Sequence, residues 1–186
     1  MDMEPSTKRL AGQHARAQAQ ALSWKKFFGG KFKRDFSNWS QGAEGEEVVG
    51  KVLEDLRDDG WHVIHDVSFG RGNIDHILVG PAGIFTIETK SHGGKIWLDR
   101  LDPKMLGQAY AEKKMLEEIT FMEVDSLLVF SRAYIFDRVP TRRRGVLILP
   151  ARMLAGHLAR RPVMISPERA AVIHRRLALA VGQAAS

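Results

Sequence analysis

The segment NIDHILVGPAGIFTIETK, residues 73–90, constrains the fold more than any other stretch of the chain. Gly80, Pro81, Ala82 and Gly83 form a turn cluster between two β-branched and aliphatic runs, so Asn73–Val79 and Ile84–Lys90 read as an antiparallel hairpin. With the turn symmetric about Pro81 and Ala82, Val79 faces Ile84, and the same count sets Asp75 opposite Glu88. Alternation at period two then puts Glu88 and Lys90 on one face of the sheet with Asp75 across the ladder. Ile74, Leu78, Phe85 and Ile87 take the other face. Both faces are largely apolar, the pattern of a sheet covered on two sides.

Opposed side chains have Cβ atoms roughly 5 Å apart, and like charges at that spacing repel. A cation therefore belongs between Asp75 and Glu88. A hard dication such as Mg²⁺ suits the pair, because it takes oxygen ligands, keeps several waters and is often held by one or two carboxylates plus substrate phosphate. Lys90 stands beside such an ion, placed to orient or help deprotonate water or to stabilise charge on a phosphate. The bland alternative is a charged edge strand that resists aggregation. The symmetric register weighs against it, since a one-residue slip would scatter the acids to opposite faces.

The chain of 186 residues suits one domain of ordinary size plus tails. It has no cysteine, which excludes a disulfide framework, a thiolate zinc site and a cysteine nucleophile. No apolar run approaches the roughly 18 residues of a membrane span, and no signal-like stretch opens the chain, so a cytoplasmic location is expected. Charge is unevenly placed. Met1–Ser40 carries eight Lys or Arg against three acids, Gln41–Ser131 nine against seventeen, and the remainder eleven against two. An acidic middle between basic flanks matches a metal site whose surroundings attract a polyanion.

Residues 1–40 read as a basic N-terminal extension to a domain over residues 41–186. In the extension, Trp24, Phe27 and Phe28 stand beside Lys25 and Lys26, a mixture that stacks on nucleic-acid bases, lies on an anionic membrane surface or docks on the domain. The domain opens with a helix in which Glu46, Val49, Leu53 and Leu56 share one stripe, turning Glu46 inward. Strands are expected at Trp61–Val67, Lys95–Leu98, Leu127–Phe130 and Val146–Leu149. Asp102 and Pro103 open a helix to about Ile119, and Ser166 and Pro167 open another to about Val181, with His174, Arg175 and Arg176 toward its exposed side. His76 points away from Asp75 and reads as a core residue, whereas His92 is near enough in sequence to reach the site from a loop. TRRRG, residues 141–145, reads as a loop whose Arg142, Arg143 and Arg144 contact phosphate backbone or simply solvent. The order is that of an α/β sandwich around a mixed sheet.

GAEGEEVVGKVL followed by GNIDHILVGPAGIFTIETKSHGG resembles the nuclease-related domain, a branch of the PD-(D/E)xK superfamily with the restriction-endonuclease-like fold. The resemblance is specific from about Gln41 to Gly94 and looser to about Leu154. It implies a central mixed β-sheet flanked by helices and a Mg²⁺- or Mn²⁺-dependent nuclease that hydrolyses phosphodiester bonds. It also implies that Asp75 and Glu88 are metal ligands, that Lys90 assists the attacking water, and that Glu46 supports the metal or its waters. By the same resemblance Gln108 lines the site from the following helix. The implied partner is nucleic acid, DNA rather than RNA. Three functions compete: this nuclease, a catalytically silent nucleic-acid-binding or scaffold module of the same fold, and a surface-associated protein whose N-terminal segment engages anionic lipid. The intact acid, acid and lysine set favours the first over the second.

Overall fold

A computed structural model describes residues 45–69 and 72–182. Among them the chain opens with helix α1 (residues 45–55), which tightens into a 3₁₀ turn, Leu56–Asp59, and stops at Gly60 in the left-handed region. Strands β1 (His62–Phe69), β2 (Gly72–Gly80) and β3 (Gly83–Lys90) follow, then a short β4 (Gly94–Ile96) and helix α2 (Pro103–Thr120). Next come β5 (Val124–Phe130), β6 (Ala133–Ile135), β7 (Thr141–Arg143), β8 (Val146–Pro150), and helices α3 (Leu154–Ala159) and α4 (Pro167–Ala180). Six strands form one mixed sheet in the order β1-β2-β3-β5-β8-β7, and β4 pairs with β6 in a second, two-stranded sheet. No helix among the described residues is long and apolar enough to cross a membrane.

The capping signals work as the sequence dictates. Asp102 accepts from the Lys104 N–H at 2.9 Å with Pro103 in the first helical turn, and Ser166 accepts from Arg169 N–H ahead of α4. Each cap satisfies a donor that a helix start otherwise leaves bare.

Helices cover both faces of the sheet. On one side Val49 and Leu53 of α1 and Leu154 and Leu158 of α3 pack on Leu78, Phe85, Ile87, Leu127 and Leu149. On the other, α2 and α4 bury Ile77, Val79, Ile84, Leu128 and Ile148 under Leu106, Leu116, Ile173 and Leu177. Residues 84–89 of β3 are all buried, including Glu88 at 2% exposure. A carboxylate in the middle layer of a three-layer sandwich loses most of its hydration, so some other contact must offset that cost.

The hairpin has the symmetric register: Gly80 pairs with Gly83, Val79 with Ile84 and His76 with Ile87. One expectation fails beyond that point. Ile74 was expected on the face of Leu78 and Phe85, but it joins Ile77, Val79 and Ile84 on the α2 and α4 side, as does Val67 of β1. The break occurs at Asp66, whose φ of 50° is left-handed and which the β1-β2 ladder skips between the pairs His65–His76 and Val67–Ile74. A residue in that conformation interrupts strict alternation and re-aims its neighbours.

Two further expectations are corrected. His174 is buried at 5% exposure rather than facing solvent, stacked on His62 with ring centroids 5.0 Å apart. The apolar stripe of α4 is wide enough to include it, and burial beside His62 and Arg57 holds its imidazole down to about 4. TRRRG is not a plain loop. Thr141–Arg143 is an edge strand paired with β8, and Arg144 and Gly145, both at positive φ, make the two-residue turn that suits a tight hairpin. Its shortness and charge, usual on edges, gave it a loop-like sequence.

Candidate active site

Glu88 and Lys90 lie at the end of β3, in register with Leu128 and Phe130 of the neighbouring parallel strand. The Lys90 ammonium donates to Glu88 Oε1. Across the hairpin, the Asp75 carboxylate accepts from the Thr89 N–H at 2.7 Å, just past the last paired residues of the ladder. Burial, followed by the nearby Glu88 charge, pushes the Asp75 carboxyl up to about 8, against the opposing pull of the Thr89 N–H.

Glu46 arrives from a different element. A Cβ at Gly45 would fall 2.5 Å from Ser91 Cβ and 2.6 Å from Ser131 Oγ, so only glycine lets the start of α1 settle on the chain leaving β3 and β5. Glu46, one residue on, is exposed overall. Surrounding atoms nevertheless strip water from its carboxyl, which with the charges of Asp66 and Glu88 raises it above its ordinary value, while Lys90 opposes the rise.

Gln108 is exposed, and its amide donates not to the acids of the hairpin but to Glu112 Oε1 at 3.1 Å, one helical turn along α2. Glu112 itself, absent from the sequence reading, is buried at 6% exposure and reaches Glu88. Its Oε2 and Glu88 Oε2 are both buried with no donor to either, so a hydrogen bond between them requires a proton on one carboxyl. Burial and the Glu88 charge push Glu112 up to about 9, so the pair of carboxyls holds a proton at neutral pH. The signal was present: Ala109, Glu112 and Leu116 recur at helical spacing on the buried stripe of α2. Asp66 is the other acid not anticipated. Its place beside the group followed only from the β1-β2 register, which the turn sequence did not fix.

The other nominated residues lie elsewhere. Buried His76 lies on the face away from α2, its Nδ1 2.8 Å from that of His65, whose Nε2 is in turn 2.8 Å from Glu54 Oε1 of α1. His92 is exposed, its ring edge-on to Phe130. Arg142 donates to Asp125 Oδ1 at 3.1 Å and to the Gly145 carbonyl at 2.9 Å, and Arg143 donates to the Leu98 carbonyl at 3.1 Å. Arg144 is exposed at the turn. Lys25 and Lys26 lie outside the described residues.

The comparisons with known proteins bear on this arrangement. The family model of the nuclease-related domain matches residues 41–131, which contain the hairpin, Glu46 and Glu112. Residues 41–131 are a nuclease-related domain, of the PD-(D/E)xK-like nuclease superfamily. The six-stranded mixed sheet flanked by helices is consistent with a restriction-endonuclease-like fold. An uncharacterized protein of Bacillus anthracis is 33% identical over 70 residues, 35% of this chain and 32% of its own length. The chain thus spans about a third of that relative. No solved structure matches.

The donor chemistry of the nuclease-related domain suits a dication. Glu46, Asp75, Glu88 and Glu112 crowd each other electrostatically, and Lys90 is the cation paired with Glu88. Among the described residues no three His, Cys, Asp or Glu side chains are grouped to hold a metal by themselves. Two carboxylates plus waters and phosphate is a Mg²⁺ arrangement rather than a full protein cage.

The raised carboxyls set a pH dependence. The folded protein keeps a proton on Glu112 up to about 9, whereas the unfolded chain loses it near the ordinary 4.5; for Asp75 the limits are about 8 and 3.8. Between those values the folded state binds more protons than the unfolded one, so stability falls as pH rises and levels off above the folded value. In chelator, the melting temperature is expected to decline between about pH 5 and pH 9. Glu112→Gln, which keeps an acceptor for Gln108 and supplies a donor to Glu88, should flatten that decline and melt on the order of 5 °C higher at the alkaline end. Scanning calorimetry across the range reads both, and an unaltered slope in the variant would refute the assignment.

Proposed function

We propose that the protein is a Mg²⁺- or Mn²⁺-dependent nuclease that hydrolyses phosphodiester bonds, with Asp75 and Glu88 as the residues that hold the ion. The single observation that carries this is the buried Glu88 carboxylate, bonded to Lys90 through Oε1 and otherwise set among the carboxyls of Asp75, Glu46 and Glu112. When bound, the ion supplies positive charge against the phosphate and acidity to a water it holds. Lys90 orients the attacking water and offsets charge growing on the phosphate. Glu46 supports the waters of the ion from the start of α1. Gln108 acts from α2 by fixing Glu112, the carboxyl that shares a proton with Glu88.

The basic flanks hold the polyanion. Arg142, Arg143 and Arg144 contact the phosphate backbone, with Lys25 and Lys26 in the extension adding sequence-independent attraction; DNA is the preferred nucleic acid, and the cytoplasm the location. Purified protein incubated with labelled single-stranded and duplex DNA and RNA should cleave when Mg²⁺ or Mn²⁺ is added and stop when chelator is added. Salt-sensitive binding with no cleavage of any substrate under either metal would instead support the silent binding module. A readout independent of turnover is thermal: about 5 mM Mg²⁺ at pH 8 should raise the melting temperature, because an ion that binds only the folded state stabilises it. Asp75→Asn should abolish that rise, and an equal rise in the variant would place the ion elsewhere.

A further inference from the structure

The nuclease reading leaves unused an exposed aromatic group on the small sheet. Trp97, Tyr134 and Phe136 are 43%, 58% and 46% exposed, far more than rings recruited to a core. Trp97 and Phe136 stack nearly parallel, centroids 5.0 Å apart and planes 10° off, and Tyr134 stands edge-on to Phe136 at 5.0 Å. A cation lies against each ring: Lys95 Nζ is 5.2 Å from the Phe136 centroid, Arg100 5.6 Å from Trp97 and Arg152 5.9 Å from Tyr134.

The sheet holds these rings in place. Lys95 pairs with Tyr134 and Ile96 with Ile135 between β4 and β6, and the Phe136 N–H donates to the Ile96 carbonyl at 3.0 Å. Ala133 and Ile135 point into the core under α2, so alternation turns Tyr134 outward. Asp137 accepts from the Leu98 N–H at 2.6 Å, which leaves Asp99 as the acid next to the rings in sequence, against three cations.

We propose that Trp97, Phe136 and Tyr134 form a stacking platform for the bases of a single-stranded nucleic acid, whose phosphates are met by Lys95, Arg100 and Arg152. Aromatic faces offer every base the same contact whatever its identity, and interleaved cations follow the backbone; together they bind single strands without reading sequence. A duplex keeps its bases stacked inside and gains only from the cations. The location fits the candidate active site. β4 begins four residues after Lys90, so Lys95 lies within about 18 Å of Lys90 along even a fully extended chain. Ser131 N–H also donates to the Lys90 carbonyl at 3.0 Å, tying the start of the β6 connection to the same strand end. A strand lying on the platform is therefore within a few nucleotides' reach of Lys90 and Glu88. The choice of nucleic acid over another anionic partner rests on the nuclease reading, but the platform does not require turnover.

The test uses the full chain in chelator with a fluorescein-labelled oligothymidylate of about 20 nucleotides, read by anisotropy. Trp97→Ala should weaken binding about tenfold and Trp97→Ala with Phe136→Ala about a hundredfold, as loss of one and then two stacked bases implies. Trp97→Phe, which keeps a ring, should stay within about threefold of wild type, and a duplex of equal length should lose little in any variant. Should Trp97→Ala lower the melting temperature, Phe136→Ala and Tyr134→Ala read the same loss at other rings. Several results overturn the platform: no binding of the oligonucleotide, affinity unaltered by ring removal, equal losses for duplex and single strand, or Trp97-dependent binding to phosphatidylserine vesicles with the oligonucleotide unaffected. Ring-dependent binding in a protein that never cleaves would remove the nuclease reading and keep this one. Cleavage with ring-independent binding would do the reverse.

Discussion

Glu88→Gln and Lys90→Ala are each expected to lower metal-dependent phosphodiester cleavage by at least a factor of about a hundred to a thousand, the usual loss when a preorganised charge is removed from a reacting centre. The two variants remove different things. Glu88→Gln preserves the shape of a side chain that is 2% exposed and keeps an acceptor for Lys90, but removes the charge that binds a dication. Lys90→Ala leaves both proposed ligands and removes the ammonium, so it should still show the Mg²⁺-induced rise in melting temperature while losing turnover. Glu118→Gln, on the exposed side of α2, is the control and should cleave like wild type. Single-turnover rates on one labelled substrate make the comparison. Rates within about threefold of wild type in both site variants would mean that other residues, or a contaminant, carry the cleavage.

The largest expected loss of stability is at Phe85. Its ring is 1% exposed in the middle of the sheet, 5.8 Å from the Trp61 ring and capped by the Arg161 guanidinium 5.5 Å from its centroid. Phe85→Ala removes that ring from a layer closed by α1 and α3, where neighbouring side chains are anchored on strands and cannot collapse into the space. A loss of about 3–5 kcal/mol follows. That is a large fraction of the roughly 5–15 kcal/mol that holds a domain together. The melting temperature should fall by about 10–20 °C, followed by circular dichroism. A fall of only a few degrees would mean that the layer over Phe85 is loosely packed.

The hairpin was legible because its chemistry is local. Gly80 and Gly83 bracket a two-residue turn, the turn sets the register, and the register brings Asp75 toward Glu88 and Lys90. Helix starts at Asp102 and Ser166 were legible for the same reason, since a cap and a following proline act within one turn. Reading failed where partners were distant in sequence. Strict alternation misplaced Ile74 because the departure at Asp66 lies on a different strand, and His174 was assigned to solvent because its stacking partner, His62, is more than a hundred residues away. For Arg142 the sequence left phosphate and solvent both open, and its acceptor Asp125 was out of sight because it belongs to β5.

The sequence by itself determined the acid, acid and lysine arrangement, because side-chain period and turn length are properties of a single hairpin. Only the tertiary structure decided that Glu112 joins Glu88, that Gly45 lets α1 deliver Glu46, and that Trp97, Tyr134 and Phe136 share one exposed surface. Each of these depends on packing between elements far apart in the chain, and local periodicity carries no information about which faces meet.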